Sequence, residues 1–160
     1  MIVLSYPSSD FPGQPALRVT LPEGWQAMPQ TGFVLAAGGI VEPGAFTPNV
    51  LISINRHPHG AGLARTKAEI KARCSTLADF ALANEHDYLA QGLPVYRIAF
   101  AYRDPRAGTL LQTGRTIVLD YGHVEDVIQI TSSCTGDQAE KFAPEIQAIE
   151  DSLVVNPSNT

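Results

Sequence analysis

Between residues 95 and 133 three long segments alternate apolar and polar side chains, and the breaks between them leave room for turns only. In Val95–Arg103, Tyr96, Ile98, Phe100 and Tyr102 share one face. In Thr109–Tyr121, Leu111, Ile117, Leu119 and Tyr121 lie on one side, and in Val124–Ser133, Ile128 and Ile130 point inward. A period of two marks β-strands. The first break, Asp104-Pro105-Arg106-Ala107-Gly108, carries Pro and Gly where a tight turn wants them, and Gly122-His123 makes the second. Strands joined this closely run antiparallel, because parallel neighbours need a crossover of about a dozen residues.

The rest of the chain supplies further strands and two helices. Leu17–Leu21 reads as a strand closed by the turn Pro22-Glu23-Gly24-Trp25, with Trp25 anchoring that turn to the core. Residues 32–37 form a shorter strand ended by Gly38-Gly39, and Val50, Ile52 and Ile54 share a face of the next. Thr66-Lys67-Ala68-Glu69 has capping-box spacing. Ile70, Cys74, Leu77, Phe80 and Ala81 follow at helical spacing, which predicts a helix running to about Asn84. Tyr88–Gln91 is a short strand. Thr135-Gly136-Asp137-Gln138 opens a second helix, whose stripe is Ala139, Phe142, Ile146, Ile149 and Leu153, with Pro144 inside it.

Strands, helix, strands, helix is the order of an α+β layer. We expect a mostly antiparallel sheet of about six to seven strands with two amphipathic helices packed on one face. Residues 15–155 form a single domain in this reading, 1–14 a loose N-terminal segment and 156–160 a flexible tail.

Charge and composition bound the function. Eleven basic against sixteen acidic residues give a net charge of -5, which argues against nucleic-acid binding or attachment to an anionic membrane surface. The opening Met1-Ile2-Val3-Leu4 lacks a basic region and a long apolar run, and no stretch approaches the length of a membrane span. The chain as given is expected in the cytoplasm. Cys74 and Cys134 are too few for a disulfide framework or a zinc site and read as structural thiols.

Candidate chemistry is sparse. His57-Pro58-His59 would project two imidazoles to one side of an extended segment, a beginning of a metal site, but the expectation is two exposed loop histidines. Ser132-Ser133 lacks a nucleophile elbow. Gly60-Ala61-Gly62 precedes a helix, where an anion can bind weakly, but reads better as a linker. On Val95–Arg103 the side away from the helices holds Arg97, Ala99, Ala101 and Arg103, and Arg97 falls opposite Gly114 or Arg115. A bulge near Gly114 would bring Arg97, Arg115 and Gln129 together, a cluster suited to an anionic ligand or an acidic partner peptide; the plainer reading is a solvated, salt-bridged face.

Three stretches carry a family resemblance: Val19-Thr20-Leu21-Pro22-Glu23-Gly24-Trp25, Phe46-Thr47-Pro48-Asn49-Val50, and Gln129-Ile130-Thr131-Ser132 through Asp137-Gln138-Ala139-Glu140. In this order they resemble the PsbP-like fold shared with the Ran-binding Mog proteins, and more narrowly the actinobacterial LpqN-type family. That family includes envelope lipoproteins, whose signal and lipid-attachment cysteine this chain lacks. The resemblance implies a non-enzymatic binding or accessory module, with an unidentified protein as partner and no cofactor. The alternative is a small-ligand or metal-binding protein, or a hydrolase-like enzyme, using His57 and His59. Self-association through a sheet edge or face is a further option.

Overall fold

The computed structural model describes residues 1–60 and 62–157. In chain order the strands before the first helix are β1 (Ala16–Arg18), β2 (Trp25–Ala27), β3 (Leu35–Gly39) and β4 (Asn49–Pro58). Helix α1 (Gly62–Cys74) leads to β5 (Ala81–Ala90), β6 (Leu93–Asp104), β7 (Gly108–Asp120) and β8 (Val124–Thr135). A 3-10 turn, Gly136–Gln138, then opens α2 (Ala139–Asp151), and β9 (Val154–Asn156) follows. Among the described residues, β2 to β8 form one seven-stranded sheet in the order β2-β3-β4-β8-β7-β6-β5, while β1 pairs with β9. Every pairing is antiparallel. The α+β class and strand number expected from the sequence hold. Strand β9 runs to Asn156, which pairs with Ala16; residues 158–160 lie outside the described residues.

The two helices lie on opposite faces rather than on one. Phe142, Ile146 and Ile149 of α2 pack with Val95, Ile117, Ile128 and Ile130, whereas Ile70 and Cys74 of α1 pack with Tyr96, Ile98 and Phe100. Adjacent residues of β6 thus enter different cores. A strand buried on both faces loses the clean alternation that a half-exposed strand shows. Lys67 and Lys71 of α1 reach Asp87 and Glu85 of the edge strand β5, at 2.8 Å each.

Helix α1 begins earlier and ends earlier than its spacing predicts. Thr66 is not a cap: its hydroxyl donates to the Gly62 carbonyl at 2.9 Å, one turn back inside the helix. The Gly62 N–H donates instead to the buried Glu125 carboxylate, an acidic group placed at the positive end of the helix dipole. After Cys74 the chain turns through Asp79, whose φ of 52° is left-handed, and Ala81 starts β5. Leu77 and Phe80 still pack on the α1-side core, so their burial was correctly read and their helical state was not.

Glycines 38 and 39 belong to β3 instead of ending it. A Cβ on Gly39 would come within 2.9 Å of Phe142 Cε1, so the strand can pass beneath α2 only with glycine there. The turn at Pro22 continues into β2, and Trp25 is buried against Phe142.

Cys74 is 6% exposed, and burial pushes its thiol above its ordinary pKa. Cys74→Ser is expected to cost about 1–3 kcal/mol, because the hydroxyl enters an apolar site. Urea denaturation measures this, and an unchanged midpoint would contradict it.

Candidate functional site

Small residues meet across the α2 face of the sheet. Ala139, Ala143 and Pro144 of α2 and Ala99 and Ala101 of β6 line a cavity of about 500 Å³ between the helix and the sheet. Leu111 and Cys134 extend its apolar wall. That volume is within the ~300–1,000 Å³ typical of small-molecule sites. A second cavity of about 440 Å³, lined by Asn84, His86, Tyr88 and Asp151 among others, shares Arg97 and Gln147 with the first. Arg97 therefore stands where an apolar compartment meets a polar one.

Arg97 and Arg115 are directly opposed in the β6–β7 ladder. The register there is regular, so no bulge is needed; Ile117 and Leu119 face α2, as both arginines do. The bulge lies in β5, between Leu82 and Asn84. The face of Arg97, Ala99 and Ala101, expected away from the helices, is the face that α2 covers. Gln129 does not join the arginines. It pairs with Thr116 and Ser53, and the alternation of β8 puts it on the opposite face from Ile128, Ile130 and Ser132.

The two arginines differ in what holds them. Arg115, 6% exposed, donates to Glu150 at 2.9 Å, to Asp151 at 2.8 Å and to the Tyr88 hydroxyl at 3.0 Å. Burial works against its charge, but Glu150 and Asp151 outweigh that and raise the guanidinium above its ordinary pKa. Glu150 also accepts from Thr113 and Ser132, each at 2.6 Å. This network pins the end of α2 to the sheet. Arg97, half-buried, donates to the Asn84 side-chain oxygen at 3.0 Å and has no ion-pair partner among the described residues.

The nucleophile candidates are disarmed where they stand. Cys134 is 2% exposed and Cys74 belongs to the other core; both are free, with thiols pushed up by burial. A raised pKa removes the thiolate that would attack. Ser132 has its hydroxyl committed to Glu150.

The histidines gain one carboxylate neighbour. Both are exposed, and His59 Nδ1 is 3.0 Å from Asp120 Oδ1. The Gly122 N–H and His59 hold Asp120 below the usual carboxylate range. His57 opposes Glu125 in the ladder, but that carboxylate is taken by Gly62. Among the described residues no three His, Cys, Asp or Glu side chains are grouped to hold a metal ion. Ala61 of the glycine-flanked linker lies outside the described residues, and the N–H of Gly62 is already used by the protein's own Glu125.

No family model matches the sequence, and no curated protein does. Solved structures do. LpqN of Mycobacterium tuberculosis, a protein involved in cell envelope biogenesis, superposes with a TM-score of 0.78 over 91% of this chain and 86% of its own, at 13% identity. The cyanobacterial PsbP of Synechocystis gives 0.59 at 13% identity, over 87% of this chain and 86% of that one. The Ran-binding protein Mog1p of Saccharomyces cerevisiae gives 0.52 at 10% identity, over 87% of this chain and 89% of its own. The chain has the PsbP-like fold of LpqN, PsbP and Mog1p.

Proposed function

We propose that the protein is a non-enzymatic binding or accessory module that holds a small amphipathic ligand in the α2-side cavity. One observation carries the reading: an open, largely apolar cavity whose reactive side chains, Cys134 and Ser132, are a raised-pKa thiol and a hydroxyl committed to a carboxylate. Such a site can retain a ligand and has no activated group to convert it. A binding role also agrees with Mog1p, a Ran-binding protein on the same fold. The sequence favours a protein partner; the concave apolar site favours a smaller occupant. Self-pairing through β5 is opposed by its bulge and by Asn84-Glu85-His86-Asp87, the features by which natural edge strands avoid another copy.

The test is a neutral apolar fluorophore, N-phenyl-1-naphthylamine, titrated into the protein and into Ala143→Trp. Ala143 lines the cavity from an exposed helix position, so the indole fills space without displacing core. Wild type is expected to bind saturably, and the variant at least about tenfold more weakly, a loss of ~1.4 kcal/mol, with its melting temperature retained. Absence of saturable binding to wild type, or equal binding by the two proteins, would reject the reading.

A further inference from the structure

We propose that the cavity's ligand is a single-chain anionic amphiphile of the fatty-carboxylate class, its tail between α2 and β6 and its carboxylate on Arg97. This rests on the binding reading above and adds the chemistry of the occupant.

Shape fixes the tail. The wall made by Ala99, Ala101, Leu111 and Ala143 offers dispersion contact and almost no hydrogen bonding. Charge fixes the head. Among the described residues two guanidiniums line the adjacent cavities, and of these only Arg97 lacks a carboxylate partner; Arg115 is held by Glu150 and Asp151. The Asn84 amide oxygen accepts one Arg97 N–H, and the guanidinium has five to give. Gln147 lines the same two cavities, with an amide N–H₂ that can also meet a carboxylate.

The other acidic groups do not oppose this placement. Glu150 lines the apolar cavity, but its oxygens accept from Arg115, Thr113 and Ser132. Asp151 pairs with Arg115. Glu140 is exposed at the start of α2, seven residues from Gln147, which is about 10 Å along a helix. A head group on Arg97 is thus at the far end from Glu140, and a carboxylate is favoured there over a cation.

Displacement of the naphthylamine probe by octanoate, decanoate and dodecanoate, all below micelle formation, tests the proposal. Each added methylene is expected to tighten binding about threefold to fourfold until the cavity is full. Dodecanoate is expected to bind at least about tenfold more tightly than dodecanol or dodecyltrimethylammonium. Arg97→Ala should weaken dodecanoate about 10–100-fold, the worth of a charge-assisted contact, and leave dodecanol unchanged. Arg97→Lys, which keeps the charge, should retain part of the affinity and controls for folding.

Equal affinity for dodecanoate and dodecanol, or no effect of Arg97→Ala on dodecanoate, would overturn the anionic head while the cavity reading stood. Tighter binding of dodecyltrimethylammonium would move the head to Glu140 and also overturn it. Displacement by none of the amphiphiles, with the probe still bound, would reject this proposal alone. No binding of the probe either would reject both.

Discussion

Arg115→Met is expected to destabilise the protein by about 3–5 kcal/mol, a large part of the stability of a domain this size. Methionine approximates the volume of the arginine stem, so lost packing is not the main effect. The effect is the Glu150 carboxylate, whose side chain is 0% exposed and which would keep only the Thr113 and Ser132 hydroxyls as donors. Breaking a buried pair from one side costs far more than replacing both members. Arg115→Met with Glu150→Leu should therefore recover part of the loss, but only part. Leucine accepts no hydrogen bond, and the Thr113 and Ser132 hydroxyls would then lose their acceptor at about 1–3 kcal/mol each. Adding Thr113→Val and Ser132→Ala removes that penalty, and the fourfold variant should return close to wild type. Urea denaturation of the series checks the order. A single-variant loss below about 1 kcal/mol would mean that the network does not pin α2 to the sheet.

The same network marks where the sequence was legible and where it was not. The meander β6–β7–β8 could be read because its side chains alternate and its turns carry Pro and Gly, both local signals. Arg97 could be placed against Gly114 or Arg115 from the turn alone, and the structure pairs it with Arg115. Which face each residue served was not local. Val95, Ala99 and Ala101 lie under α2 while Tyr96, Ile98 and Phe100 lie under α1, and a strand apolar on both sides does not announce two covers. With both helices on one face Arg97 would lie on the uncovered side and meet Gln129 only through a bulge; with a helix on each face it lies on the α2 side. Likewise Leu77 and Phe80 continue the spacing of α1 and do enter its core, but from a turn that Asp79 makes left-handed. Burial set those positions, and more than one backbone path satisfies it. The cavity was beyond local reading altogether. Alanines of α2 and of β6, far apart in the chain, line it together, which is visible only once the register and helix position are known.

Phe142→Ala should cost about 3–5 kcal/mol, the usual range for a fully buried ring removed from a core. Phe142 is 6% exposed, stands edge-on to Trp25 with ring centres 6.1 Å apart, and covers Gly39. Its removal opens space that β3 cannot fill, because Gly39, the residue beneath the ring, brings no side chain. Gly39→Val fails for the opposite reason. Valine suits a strand, but its Cβ would sit 2.9 Å from Phe142 Cε1, and the overpacking is expected to cost about 1–3 kcal/mol. The combination carries the argument, since the valine then occupies part of the room the ring vacated. The double variant should be less destabilised than the sum of the two by about 1 kcal/mol or more, beyond what independent sites deviate from additivity. Trp25 is the only tryptophan and its indole N–H donates to Glu145 at 2.7 Å, so its fluorescence reports this corner directly during urea unfolding. Strict additivity would mean that the glycine is there for some reason other than the ring above it. Positive coupling would establish that Gly39 and Phe142 set how closely α2 approaches the sheet at this end, opposite the end where Arg115 holds it.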